Sequence, residues 1–324
     1  MAQLAHPPTS RPTASHRSPS FFFNGHVPRR RALVLLLGAV FGFALTVVWS
    51  AEFVDKIIAG TVADTLLGHP AKDAPISGAL AGVAFALATG IGGTFTACNV
   101  AVFSAMAPLA GQKTTRRGRI AGLLKPLGYL ALGAVAVSAA YGVIAALAGS
   151  GMPQSATASS GAGFSPRLIQ AMVVYGLLGL AMTYLGLAAA GLVRDPLARL
   201  TRRFPNAPMV VMGAFIGAFL IGRPFGLFRQ LFRDTAQSQN PLYGAVAFSA
   251  QTLGNILIVA ALFVVVSLVF GDRLNRWFTE RPSRMSAVMA AAFIAAGIFM
   301  LLYWDVRILA RRDLIWYPMA PWAA

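Results

Sequence analysis

The chain has 324 residues, of which 57% are hydrophobic and only 11% charged, with a net charge of +17. Soluble domains carry roughly 25% charged residues, and a chain this apolar lacks the polar side chains to coat a water-facing surface. That excludes a soluble globular protein. The cations lie in short runs between apolar stretches, the pattern of membrane-protein loops, so the implied partner is the lipid bilayer and not nucleic acid.

Residues 1–31 are rich in Pro, Ser, Thr and Arg and end in Arg29-Arg30-Arg31. Such a composition buries too little apolar area to offset ordering, and a disordered cytoplasmic tail is expected. Residues 32–50 are uncharged and long enough to span. Their apolar core exceeds the about 7–15 residues of a signal peptide, which favours a retained helix. A polar outer loop is expected over 52–75.

Residues 76–111 are too long for one straight crossing at about 1.5 Å per residue. They are read as a tilted helix, as a helix with a break, or as a helix plus an interfacial piece. A basic loop at 113–125, a span at 127–149, a Gly/Ser/Ala-rich loop at 150–165 and a span at 168–193 complete a first group over 76–193. The basic loop 194–208 leads to a second group over 209–304. Its spans lie near 209–222 (extended by the Arg-rich stretch 223–233), 242–270 and 285–304, with a basic loop at 272–284. The tail 305–324 carries Trp316, Tyr317 and Trp322, aromatics that suit a membrane interface.

Alternating these spans from a cytoplasmic N-terminus puts most loop cations inside, including Lys113, Arg116, Arg117, Lys125, Arg194, Arg202, Arg273 and Arg284. The positive-inside rule therefore predicts a multi-pass protein of the inner or plasma membrane with its C-terminus outside. The four histidines, His6, His16, His26 and His69, fall in tail or loop segments, and no Asp or Glu lies mid-span. No metal, haem or other cofactor site is expected. Nothing resembles a hydrolase triad or a phosphate-cradling loop.

The two groups look alike. Each opens with a Gly-rich helix, Gly90, Gly92 and Gly93 in one, Gly213, Gly217 and Gly222 in the other. Their middle spans share a pattern ending in Gly133 and Gly254. The predicted fold is an all-α integral membrane bundle of about seven transmembrane helices, one N-terminal helix plus two inverted three-helix repeats, a design that places a site between the halves.

With these halves, their Gly-rich first helices and Cys98 late in the first of them, the chain resembles the CcdA and DsbD-type transmembrane thiol–disulfide electron carriers of cytochrome c biogenesis. The resemblance covers about residues 76–303. It implies a role in thiol redox chemistry, with Cys98 as the candidate reactive residue and a thioredoxin-like partner on the outer side. In that family each half carries a cysteine, usually beside proline. Here Cys98 follows Ala97, and matching Gly90 to Gly217 sets Ala97 against Pro224 and Cys98 against Phe225. One cysteine cannot form the family's internal disulfide, so a partner would have to supply the second thiol.

The residues themselves leave alternatives open. Cys98 reads as a reactive thiol or as a small buried hydrophobe. Gly92, Gly93, Asn99 and Pro108 read as a substrate-path break or as helix packing. Arg223, Arg229 and Arg233 follow Gly222 on the predicted outer side, and Arg229 and Arg233 share one helix face. They suit an anion site or a dock for an acidic partner, or an interfacial helix whose phenylalanines enter the acyl region. Gln251 and Asn255 line a path or bridge helices. Three functions remain: the thiol-redox role, transport of a small and anionic solute, and a non-catalytic scaffold or assembly subunit.

Overall fold

A computed structural model describes residues 26–50, 52–72, 75–95, 116–156, 164–223 and 226–323, and these residues are helical, with no strand among them. The helices are α1 (Arg31–Val48), α2 (Ala59–Leu67), α3 (Ala79–Gly92), α4 (Arg116–Ala148), α5 (Pro166–Ala189), α6 (Ala198–Arg203), α7 (Ala207–Gly222), α8 (Gly226–Ser238), α9 (Pro241–Glu280), α10 (Ser283–Leu301) and α11 (Arg307–Ala310).

Five of these segments are long and apolar enough to cross a membrane, at Arg31–Val48, Leu124–Gly151, Pro166–Ala189, Pro241–Glu280 and Ser283–Ala310. The protein is thus a polytopic membrane protein. Of the about seven expected spans, the described residues show five, or six if one bent pair is counted as a single span. The expected fifth span is that pair, α7 and α8, bent by 85°. Of the expected second span, 76–111, the described residues hold α3, of 14 residues or about 21 Å in length, and residues 96–111 lie outside them. Two loops are also helical. A π-helical turn, Phe53–Ile58, runs into α2 where a polar outer loop was expected. Helix α9 has 40 residues and continues to Glu280, through most of the expected basic loop 272–284. Its start is fixed by Asn240, whose side-chain oxygen accepts from the backbone N–H groups of Leu242 and Tyr243. Asn240→Ala is expected to cost about 1 kcal/mol, the usual worth of such a cap, measured as a fall in the thermal unfolding midpoint.

In space the helices pack in the order α1, α10, α5, α7, α4, α9, α3, α2. Helices from the two halves alternate through the middle of this row, so the core is shared between them. Its largest cluster centres on Met182, Met209, Met212, Ile216, Phe293 and Met300, all fully or nearly fully buried.

Close backbone contacts set two parallel seams. A Cβ on Gly90 of α3 would lie 2.2 Å from Gln251 O of α9, and one on Gly254 would lie 2.5 Å from Leu87 O. In the other seam, a Cβ on Gly213 of α7 would lie 1.8 Å from Leu130 O of α4, and one on Gly133 would lie 2.0 Å from Val210 O. Only hydrogen at these positions lets the backbones approach so closely. The seams match residue for residue one turn further on. Thr94 Oγ1 donates to Asn255 O, while Gly217 faces Ala134 O. Gly90 therefore corresponds to Gly213 and not, as the glycine pattern suggested, to Gly217. In that register the residue aligned with Cys98 is Ile221 and not Phe225.

The C-terminal segment folds back onto the end of α1. Ala320 N donates to Val47 O, and Trp322 Nε1 donates to Val48 O. Arg307 is completely buried and donates to Thr46 O and Trp49 O, each at 2.8 Å, and to Ala323 O. The last carbonyls of α1, which lack intrahelical partners, are capped this way.

Candidate functional site

The predicted site residues that the structure describes fall into two clusters. Cys98, Asn99, Pro108, Pro224 and Phe225 lie outside the described residues.

The first cluster is the α3/α9 seam. Gln251 is completely buried, and its Oε1 accepts from Thr89 Oγ1 at 2.6 Å. Asn255 is 5% exposed and takes part through its backbone carbonyl, bound by Thr94. Both therefore bridge helices. Gly92 packs against α2, where a Cβ would lie 2.6 Å from Ala59 O. Arg223 follows α7 directly. It is 6% exposed, and its Nη2 donates to Gly93 O at 3.3 Å. A Cβ on Gly93 would fall 2.2 Å from that guanidinium, so a side chain there would displace it. Asp55, on the π-helical turn, lies within electrostatic reach of Arg223. Burial pushes its carboxyl above the usual range, and the arginine partly offsets this. The end of the first half's opening helix is thus held by a cation from the end of the second half's.

The bend between α7 and α8 frees backbone carbonyls that need partners inside a membrane protein. Ile221 O accepts from both Gln154 Nε2 and Gln170 Nε2, and Phe219 O accepts from Tyr175 Oη. With these carbonyls satisfied, the chemistry left at the bend belongs to α8. Its apolar face is turned inward. Phe228 and Phe232 are completely buried and pack their rings on Phe248, and Phe232 also packs on Tyr141. This corrects the interfacial-helix reading, because these rings fill the protein core and not the acyl region.

The opposite face of α8 carries the second cluster. Arg229 and Arg233 lie within electrostatic reach of each other and of Arg167, near the start of α5. Arg229 Nε and Arg167 Nη1 are buried without a hydrogen-bond partner. Beside them opens a cavity of about 560 Å³, lined by Lys72, Gly226, Arg229, Gln230, Arg233 and Asp234 among others. The first turn of α8 begins at Gly226, and a helix N-terminus adds partial positive charge to this wall. Such a set of donors can bind an anion through charge-assisted hydrogen bonds.

Comparison with known proteins finds no family profile that matches the chain, no similar curated protein and no similar solved structure. Function must therefore be read from the residues.

Sequence reasoning singled out Arg223, Arg229, Arg233, Gln251 and Asn255. It missed Arg167, Lys72, Asp234, Gln154 and Gln170. Gln170 left a usable signal, a polar side chain inside an apolar span. Lys72 and Gln154 sit in segments read as loops, where a polar residue attracts no notice. Among the described residues, no group of three or more His, Cys, Asp or Glu side chains is arranged to hold a metal ion.

Proposed function

We propose that this protein transports a small anionic solute across the cell membrane and is built from two inverted three-helix repeats. The observation that carries the reading is the convergence of Arg167, Arg229 and Arg233 at a broken helix, with two buried guanidinium nitrogens left unpartnered. Cations within a membrane bundle are costly to hold and mark ligand pathways. Discontinuous helices whose N-termini face an anion are a recurrent transporter design.

The repeat reading is supported by the two matching seams, which pair the opening helix of each half with the middle helix of the other. The alternation of basic loops favours a cytoplasmic N-terminus, which sets the α8 cluster on the outer side. The resemblance to the CcdA and DsbD-type carriers agrees with this architecture. Their electron relay is not part of the proposal, because the chain has one cysteine where the relay uses two.

The test is flux. Purified protein in sealed vesicles is expected to move labelled anions from a panel of monocarboxylates, dicarboxylates and inorganic oxyanions. Arg229→Ala should lower the rate about tenfold or more by removing a charge-assisted contact. No flux across the panel, or flux indifferent to Arg167, Arg229 and Arg233, overturns the reading.

A further inference from the structure

We infer that the cavity beside α8 binds a small organic dianion, an inference that rests on the anion-transport reading above. Among the described residues, the cavity walls hold three cations, Lys72, Arg229 and Arg233, and one carboxylate, Asp234. Their sum is a double positive charge. The carboxylate accepts a hydrogen bond from the hydroxyl of Tyr243 on α9. Arg229 Nε is buried without a partner, and the α8 N-terminus at Gly226 lies on the same wall.

A monoanion would neutralise only part of this charge while still meeting the repulsion of Asp234. A ligand with two acidic groups cancels the wall charge, each group meeting cations. Size points the same way. About 560 Å³ falls within the roughly 300–1,000 Å³ of small-molecule sites, leaving room for a carbon chain between the acidic groups. The side chains of Pro75 and Ile76 give that chain an apolar wall, and those of Gln230 and Gln237 line the cavity as neutral amides. Asp234 opposes every anion and holds the wall at two net charges where it would otherwise carry three.

The experiment titrates the full-length protein in detergent with succinate and with acetate, at matched ionic strength and at a pH where succinate is fully ionised, by isothermal calorimetry. Succinate is expected to bind about tenfold or more tighter than acetate, as an added charge pair supplies. Arg233→Gln, at an exposed position, should remove most of that preference. Asp234→Asn keeps an acceptor for the Tyr243 hydroxyl and should tighten both ligands, succinate at least as much as acetate. Equal affinities for succinate and acetate in the parent protein overturn the dianion class and leave the anion reading standing. If neither binds, or if binding ignores both Arg229→Gln and Arg233→Gln, both readings fall. If only a short-chain phosphatidic acid binds, the cations serve a lipid phosphate and the inference fails. Weaker succinate binding in Asp234→Asn overturns the repulsion assigned to that residue.

Discussion

Gly213→Ala is expected to destabilise the protein by about 2–4 kcal/mol, among the larger effects of a single substitution. The added methyl carbon would sit 1.8 Å from Leu130 O and 2.9 Å from Ala134 N. Both atoms are backbone, so no rotamer change relieves the clash. Helices α4 and α7 would have to separate, and the contact of Gly133 with Val210 O would open with them. Gly128→Ala is the matched control, since a Cβ there meets nothing within 4 Å on the same helix α4. It should be neutral or slightly stabilising, alanine being the better helix former by about 1 kcal/mol. Thermal unfolding in detergent, followed by the loss of the monodisperse chromatographic peak, compares the two. Equal midpoints for Gly213→Ala and Gly128→Ala would rule out the close seam.

Arg307→Met should cost a similar amount, about 2–4 kcal/mol, from a different cause. Methionine keeps most of the volume but supplies no donors. The carbonyls of Thr46, Trp49 and Ala323 would lose a charged partner in a buried setting, and each acceptor so abandoned costs about 1–3 kcal/mol before relaxation. The guanidinium also sits over the Tyr303 ring, 4.8 Å from its centroid, a contact methionine would not replace. Arg307→Lys should recover only part of the loss, because an ammonium lacks the fork that reaches several acceptors at once. The loss should show as faster proteolysis of the C-terminal segment together with a lower unfolding midpoint. Wild-type stability in Arg307→Met would mean that the end of α1 is held by other contacts.

The membrane class was legible because it follows from bulk apolar content, and the long spans because each is an uninterrupted run. What hydropathy hid was helix outside those runs. Phe53, Val54, Ile57, Ile58, Val62 and Leu66 recur at helical spacing, yet Glu52, Asp55, Lys56 and Asp64 lower the local hydropathy enough to suggest a loop. The same holds for the end of α9, where Leu274, Trp277 and Phe278 are interleaved with Asp272, Arg273 and Arg276. The glycine pattern set Gly90 against Gly217, whereas in the two seams Gly90 holds the place that Gly213 holds. Gly213 and Gly217 lie on one face four residues apart, and the first half carries threonine, not glycine, at the second of these positions. Composition alone cannot choose between them. Arg223, Arg229 and Arg233 could be found from sequence because three cations fall within eleven residues directly after an apolar run. Arg167 and Asp234 could not, because their role depends on α5, α8 and α9 meeting in space.

The interlocked seams also bear on how the chain is made. Thr89 Oγ1 donates to a glutamine 162 residues further along. At a synthesis rate of about 5–20 residues per second, α3 waits roughly ten to thirty seconds before the helix that completes its contacts has been translated. Throughout that interval its polar and glycine-lined face needs shelter, from the insertion machinery or from provisional neighbours such as α2. The nascent protein is most vulnerable to quality control in this window, and the final middle helix, α9, closes it.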